Sequence, residues 1–287
     1  MKFLISHYLQ EHSTESLYFN SILNTVGCKS TIWNDNVSAY DILDLVKPDI
    51  CITHYKKVSM DLVSYLQENR GIDLVLNITG INQDNLNTLD SKLKELSITP
   101  KFMFSNYYDH GLVTKSNIVT ILHGADILLS KSPKQYDVDY GIFVDNTDQL
   151  KPIGETYHFI SDNSKIEDKI DIYLPIYRLT HLYPNYNNIV FKYFQDGLTQ
   201  TFYDAAAVSD NVFFDIVDPT ELDAHLNKLL GTKNEKHCDI QTKDSGSIKE
   251  AILSKHTCLH RTKTLLSQFS AKEYIDKLQN MIEGKKQ

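Results

Sequence analysis

Short apolar runs with high β propensity alternate with amphipathic helical patterns along the first half of the chain. The runs are "KFLIS" (2–6), "STIWN" (30–34), "DICIT" (49–53), "DLVLNIT" (73–79), "KFMFS" (101–105) and "DILLS" (126–130). Between them, residues 15–26 and 84–97 place aliphatic side chains three and four positions apart. Strands that alternate with such helices predict βαβ units and a parallel sheet with helices on both faces.

The alternation starts again after the polar segment 130–139. "DYGIFVDN" (139–146) reads as a new first strand, and the later strands are expected at 156–161, 187–191 and 211–216. Helices fit at about 175–184, 199–208 and 219–230, and two more apolar stripes fit helices at about 248–266 and 271–283. We therefore predict an α/β fold with two Rossmann-like lobes, each with a parallel sheet, facing a central cleft.

Composition limits the class of protein. The chain of 287 residues is long enough for two cores, and its 41% hydrophobic and 23% charged residues are typical of a soluble globular protein. The net charge of −8 argues against nucleic-acid binding over the whole surface, although residues 243–287 carry an excess of four positive charges. Those charges fit either solvated helix faces or contact with a polyanion.

The four cysteines and the N-terminus indicate the compartment. Cys28, Cys51, Cys238 and Cys258 show no paired spacing, so we expect reduced thiols. The chain opens on a strand-like run without a signal peptide, and no apolar run approaches the roughly 20 residues of a membrane span. We expect a cytoplasmic protein without membrane insertion.

Common cofactor and metal motifs are missing from the sequence. The first strand–helix turn lacks the glycine-rich dinucleotide fingerprint, and no GxxxxGK[ST] motif occurs. His256, Cys258 and His260 do not share one helix face, so a zinc site is not expected. A catalytic metal is not required by the sequence, although Mg²⁺ could accompany a diphosphate product.

The segment "GLTQTFYDAA" (197–206) carries the main ligand signal. A helix that starts near Thr199 offers free N–H groups and a positive dipole end to an anion. Thr199 and Thr201 can donate to phosphate, Gln200 can reach a phosphate or sugar oxygen, and Asp204 can accept from ribose hydroxyls. Lys192 can neutralise charge. The alternative is that Thr199 only caps the helix and Asp204 faces solvent.

Three stretches resemble a known family. "TFYDA" (201–205) is similar to the R-x-F-E-A motif of CgeB-like glycosyltransferases of spores and phages, and "YGIFVDN" (140–146) resembles the first strand of their second lobe. "KHTCLHRTKTLL" (255–266) resembles their closing helix with its H-T-Y-x-x-R pattern. The resemblance covers about 139–266. Thr201 stands where the motif has arginine, and Asp145 stands where the family has glycine.

The resemblance implies the GT-B fold and transfer of a sugar from a nucleotide-sugar donor to an acceptor hydroxyl. Residues 1–135 would form the acceptor lobe, 138–247 the donor lobe, and 248–287 helices that cross back to the first lobe. No cofactor is expected beyond the nucleotide-sugar as co-substrate. The donor contacts are expected from Asp145, Asn146, Lys192, Thr199, Gln200, Thr201, Asp204 and Arg261.

A base for the acceptor hydroxyl is expected at the carboxyl ends of the strands of the first lobe. His54 is the first choice, with His7 and Asp109 as alternatives. We discount His123, because we place it at the end of a helix over 108–123 with Gly124 as its C-cap.

The sequence does not identify the acceptor of the sugar. A hydroxymethylated base in phage DNA is one alternative, and a protein or a polysaccharide is another. A different class of function is a two-lobe protein that binds a ligand, or a degenerate transferase, without catalysis.

Overall fold

In the computed structural model, the chain divides into two compact units. The described residues are 1–6, 13–33, 37–106, 117–126, 138–144, 157–161, 186–191, 198, 200–209, 211–214, 224, 226 and 245–284. Unit 1 comprises Met1–Leu122 and Leu259–Gln287, and unit 2 comprises His123–Cys258. Most of the polar segment 130–139, after which the sequence pattern starts again, lies outside the described residues.

Unit 1 is built on a six-stranded parallel sheet in the order β2-β1-β3-β4-β5-β6. The strands are β1 (Lys2–Ser6), β2 (Lys29–Trp33), β3 (Ile50–His54), β4 (Asp73–Asn77), β5 (Phe102–Ser105) and β6 (Ile118–Thr120). The central strands β3 and β5 are buried along their whole length, which explains their continuous apolar sequences. The ends of the first five strands lie within about two residues of those predicted from the sequence, so these predictions are confirmed.

The helices between these strands are α1 (Ser13–Thr25), α2 (Ala39–Val46), α3 (Met60–Glu68) and α4 (Gln83–Glu95). Ser38, Ser59 and Asn82 cap the starts of α2, α3 and α4 by accepting backbone N–H groups with their side chains. Leucines from these three helices form one core with the sheet residues Leu4, Cys51 and Leu76.

The C-terminal segment belongs to unit 1 from Leu259 onward. Helices α7 (Cys258–Ser267) and α8 (Lys272–Ile282) are joined by a turn that carries Phe269. The Phe269 ring packs against Phe3 and Phe102, with ring centroids 6.1 Å and 5.5 Å away. Lys277 on α8 donates to the carbonyl oxygen of Val26, just after the end of α1, at 3.3 Å. This segment therefore completes the core of unit 1.

Unit 2 contains a four-stranded parallel sheet in the order β10-β9-β7-β8. Its strands are β7 (Val138–Val144), β8 (Tyr157–Ser161), β9 (Tyr186–Phe191) and β10 (Val212–Phe214), and its helices include α5 (Gln200–Val208) and α6 (Ser245–Lys255). Helix α6 packs on α5, and Ile248 and Ile252 join the core formed by Phe202 and Ala205–Ala207. The strands expected at 139–146, 156–161, 187–191 and 211–216 are confirmed over their described parts.

Two secondary-structure predictions are wrong. The helix expected over 108–123 is excluded at its C-terminal end, because residues 118–120 form strand β6 and 121–124 are not helical. The β-branched run Ile118-Val119-Thr120 has the side chains that fit a pleated sheet. Residues 107–116 and 127–130, the rest of that helix and of the "DILLS" strand, lie outside the described residues.

The single helix expected over 248–266 is two helices. Helix α6 ends at Lys255 and α7 starts at Cys258, because the backbone of 256–258 pairs with Ala125 instead of continuing the helix. The apolar side chains Ile248, Ile252, Leu259 and Leu266 keep a helical spacing across this break, so periodicity could not reveal it.

Candidate functional site

The sheet of unit 2 reverses its strand order between β7 and β9. From β7 the chain continues to β8 on one side, and β9 then pairs with the other side of β7. In open parallel sheets, ligands bind at the carboxyl ends of the strands that flank such a reversal. Strand β7 ends at Val144 and β9 ends at Phe191. Asp145, Asn146 and Lys192 follow these ends in the sequence and lie outside the described residues.

Helix α5 is the first described helix after β9. Leu198, just before the helix, is 4% exposed, and the side chains of Phe202, Tyr203 and Ala205–Ala207 are buried. The N–H groups of its first turn have no partner within the helix and lie at the positive end of its dipole. Thr199 lies outside the described residues, and Thr201 is described only as helical backbone.

Gln200 is the first residue of α5, and its carboxamide has a definite orientation. Nε2 donates to the carbonyl oxygen of Gly124 at 2.9 Å. A carbonyl can only accept, so the nitrogen must face Gly124 and the oxygen must face away. Gln200 is 9% exposed, and Oε1 has no hydrogen-bond partner among the described residues. The phosphate contact expected of this residue would therefore have to share Nε2 with Gly124.

Asp204 lies one turn further along α5 and is 1% exposed. Its Oδ1 accepts the backbone N–H of Asp126 at 3.0 Å. The reading in which Asp204 merely faces solvent is therefore wrong. Gln200 and Asp204, four residues apart on one helix face, both hold the segment Gly124–Asp126.

Two segments at the ends of unit 2 pair with each other beside α5. Ala125 donates to the carbonyl of His256 and accepts from the N–H of Cys258, both at 2.9 Å. The thiol of Cys258 donates to the Gly124 carbonyl at 2.7 Å, so this carbonyl accepts two hydrogen bonds. His123 thus lies in a non-helical segment, not at a helix C-terminus, and its ring centroid is 6.4 Å from that of Tyr203.

In unit 1, His54 ends β3 and uses both ring nitrogens on backbone groups. Nδ1 accepts from the N–H of Lys56 at 3.3 Å, and Nε2 is 3.2 Å from the carbonyl oxygen of Thr79. Because a carbonyl requires a donor, Nε2 carries the proton in this arrangement. His54 is 5% exposed and caps the short 3₁₀ turn Tyr55–Lys57. To act as a base it would have to exchange one of these contacts for the acceptor.

A buried polar network continues from His54 along the carboxyl edge of this sheet. The Thr79 hydroxyl donates to Asn106 Oδ1 and accepts the Asn106 N–H at 3.1 Å. The Thr79 N–H donates to Asn77 Oδ1 at 2.9 Å. These contacts fix the ends of β3, β4 and β5 relative to one another.

Cys51 lies within β3, three residues before His54. Burial raises the pKa of its thiol to about 12, so the side chain stays protonated at neutral pH and is not a nucleophile. Burial also raises the pKa of the Cys28 thiol, which is 4% exposed.

The remaining predicted residues are distributed as follows. Arg261 lies half-buried in α7 in the part assigned to unit 1, while His256 and Thr257 of the same motif belong to unit 2. His7 and Asp109 lie outside the described residues. In the described part of the chain, no group of three or more His, Cys, Asp or Glu residues could hold a metal ion. No described helix combines the length and the hydrophobicity that crossing a bilayer would need.

Sequence reasoning missed the partners of α5. Gly124 and Asp126 are 76 and 78 residues away from Gln200 and Asp204 in the chain, and neither has a local pattern that indicates the contact.

Comparison with known proteins gives no match by sequence and distant likenesses among solved structures. No family model matches the chain, and no curated protein matches it. The crystal structure of MurG from Acinetobacter baumannii is similar at 10% identity, over 93% of this chain and 98% of that chain, with a TM-score of 0.38. The apo structure of D-lactate dehydrogenase from Escherichia coli is similar at 9% identity, over 100% and 98%, with a TM-score of 0.28. Likenesses at these scores carry no conclusion about function.

Proposed function

We propose that this protein is a glycosyltransferase that moves a sugar from a nucleotide-sugar donor to an acceptor hydroxyl. The observation that carries the proposal is the start of α5, where a helix N-terminus and the Gln200 carboxamide follow the strand-order reversal of a parallel sheet. The segment "TFYDA" (201–205), which resembles the donor motif of CgeB-like enzymes, lies in the same helix. A phosphate-bearing ligand suits such a site because the N–H groups of a first helical turn and the helix dipole favour negative charge.

In the proposed reaction, the diphosphate of the donor binds at the start of α5, with Asp145, Asn146, Lys192, Thr199, Thr201 and Arg261 as further donor contacts. A base removes the proton of the acceptor hydroxyl, whose oxygen then bonds to the anomeric carbon as the bond to the diphosphate breaks. The leaving diphosphate gains negative charge, and N–H groups oriented in advance stabilise that charge in the transition state. The reaction needs no cofactor beyond the donor, and Mg²⁺ is not required by it.

Asp204 has two roles in the proposal. Its Oδ1 holds the Asp126 N–H, and the carboxylate is proposed to accept from a ribose hydroxyl as well. The base is proposed among His54, His7 and Asp109. His54 is the described member of that set, and it would act only if one of its two backbone contacts is replaced.

Binding of nucleoside diphosphates tests the proposal directly. The thermal stability of the wild type would be measured with ADP, GDP, UDP, CDP and dTDP, and again for Asp204→Asn. Ligand at a hundred times Kd should stabilise the folded protein by about 2.7 kcal/mol. Asp204→Asn keeps an acceptor for the Asp126 N–H and should weaken the ligand effect, while the exposed control Asp84→Asn should not. Absence of stabilisation by all five nucleotides would overturn the proposal.

A non-catalytic binding protein is the second candidate, favoured by the backbone contacts that occupy both nitrogens of His54. Turnover separates the two functions. A transferase should release the nucleoside diphosphate slowly from its nucleotide-sugar when water replaces the acceptor, and faster when an accepted hydroxyl compound is added. A protein that binds the nucleotide-sugar but releases no diphosphate over hours would be a binding protein.

A further inference from the structure

The unpartnered oxygen of Gln200 is the starting point. Gln200 is the first residue of α5 and is nine-tenths buried. Its Oε1 has no hydrogen-bond partner among the described residues. A buried acceptor without a donor is costly, and most such groups in folded proteins are paired. Because Nε2 is held by Gly124, the carboxamide cannot turn over to remove the mismatch without losing that bond.

The site therefore presents two opposite kinds of polar group. The N–H groups of the first helical turn are donors and suit anionic oxygens, whereas Oε1 is an acceptor and suits an O–H or N–H group. The diphosphate of a nucleotide-sugar is fully ionised at neutral pH, so its oxygens cannot donate to Oε1. A ligand that satisfies both carries a hydroxyl close to a phosphate. Asp204 is the other acceptor on this face, but it lies a turn deeper and its Oδ1 already holds Asp126.

We propose that Gln200 determines specificity for a hydroxyl of the donor, which Oε1 accepts while the start of α5 holds the neighbouring phosphate. This inference rests on the proposed function and names the part of the donor that is recognised. Two hydroxyl sources share this chemistry, the ribose and the transferred sugar.

The experiment compares ligands that differ by one hydroxyl, with affinities measured by calorimetry. The first arm uses the ribonucleoside diphosphate that stabilises the protein most and its 2′-deoxy and 3′-deoxy analogues. The second arm uses a nucleotide-sugar of the same base and its deoxy-sugar analogues. Inorganic pyrophosphate serves as the probe without a sugar hydroxyl. Loss of the matching hydroxyl should weaken binding by about 5- to 150-fold, since it leaves a buried acceptor unpaired.

Gln200→Met tests the residue. Methionine has similar length but offers no comparable acceptor, so the preference for the hydroxyl should fall to about twofold or less, with pyrophosphate affinity little changed. The Gly124 carbonyl keeps the Cys258 thiol as a donor, which favours a folded variant. Gln67→Met is the matched control, because Gln67 Nε2 also donates to a backbone carbonyl, that of Leu96, on the exposed surface of unit 1. The control should keep the wild-type preference.

The outcomes separate this inference from the function on which it rests. A preference in the first arm assigns the ribose, and one in the second arm assigns the transferred sugar. Nucleotides that bind the wild type equally well with and without each hydroxyl would overturn the inference and leave the proposed function standing. A preference for the hydroxyl that persists in Gln200→Met would also overturn the inference and leave the proposed function standing. If Gln200→Met fails to fold, equal binding of the wild type with and without each hydroxyl would still overturn the inference. No binding by any nucleotide would overturn both.

Discussion

Several buried polar side chains in this protein are bound to backbone groups of segments distant in sequence. Gln200 and Asp204 hold residues 124 and 126, and His54 links Thr79 to the turn after β3. Each contact is a single hydrogen bond, so its net contribution is modest, but leaving the partner unpaired in the interior costs about 1–3 kcal/mol. Such residues fix the positions of segments whose placement in the fold cannot be predicted from the local sequence.

His54→Ala should lower stability because it leaves the Thr79 carbonyl and the Lys56 N–H without their partner. We expect a loss of about 1–3 kcal/mol in the free energy of unfolding, measured by urea denaturation. Lys56→Ala, an exposed change two residues away, should stay within about 1 kcal/mol of the wild type. If His54→Ala abolishes turnover without loss of stability, His54 acts as the base and not as a cap.

Cys51 should make stability fall at alkaline pH. Burial raises the pKa of its thiol in the fold to about 12, whereas in the unfolded chain the thiol ionises at about pH 9. The stability that the protonated thiol contributes is fully present below about pH 9 and is lost as pH rises towards 12, by up to about 1.4 kcal/mol per pH unit. Between pH 7.5 and 10, the wild type should lose about 1.4 kcal/mol more in its free energy of unfolding than Cys51→Ala. Cys51→Val, with a larger side chain, should behave like Cys51→Ala, and equal losses in all three proteins would contradict the prediction.

At the level of elements, the C-terminal helix α8 illustrates how a segment far along the chain completes a core. One face of α8 carries the fully buried Leu278, and Lys277 beside it reaches the carbonyl of Val26 after α1. A positive charge near the carboxyl end of a helix also complements its dipole. Helix α8 therefore belongs to the packing of unit 1 and is not an appended tail.

Leu278→Ala should destabilise the protein by about 2–5 kcal/mol, because it removes a completely buried aliphatic side chain and leaves a cavity. Asn280→Ala, an exposed change on the same helix, should shift the free energy of unfolding by no more than about 0.5 kcal/mol. Denaturant unfolding of both variants checks the prediction. Equal small effects would mean that α8 does not contribute to the cooperative core.

At the scale of the whole molecule, the two units repeat one strand order. In each, the second strand lies at the edge, the first strand beside it, and the third and fourth strands follow on the other side of the first. Both sheets therefore reverse their order next to their first strand, between β1 and β3 in unit 1 and between β7 and β9 in unit 2. Among the described strands of each unit, this reversal marks a sheet edge at which a ligand could bind.

Hydrogen exchange with and without the bound nucleoside diphosphate should show which unit takes the nucleotide. We expect slower exchange of the amides at the start of α5 (200–203), because ligand oxygens would accept their hydrogens. The start of α4, already capped by Asn82, is an internal control and should not change. Slowing confined to residues 50–57 of unit 1 would contradict the assignment of the donor to unit 2.

The sequence by itself determined the elements whose signal is local. The strands β1 to β5, the helices α1 and α4, and the restart of the pattern at β7 follow from apolar periodicity, because one buried face imposes that periodicity on the chain. The helix start in "GLTQTFYDAA" was likewise readable, to within one residue, and it directed attention to Gln200 and Asp204.

Only the tertiary structure decided what those residues contact. The break between α6 and α7 arises because Thr257 pairs with Ala125, and the Gly124 carbonyl accepts from Cys258, 134 residues away. Such pairings leave no trace in a local window, since the apolar spacing runs on across the break. The unpartnered Oε1 of Gln200 is likewise a tertiary result, because it depends on Gly124 holding Nε2, and the main proposal about specificity rests on that contact.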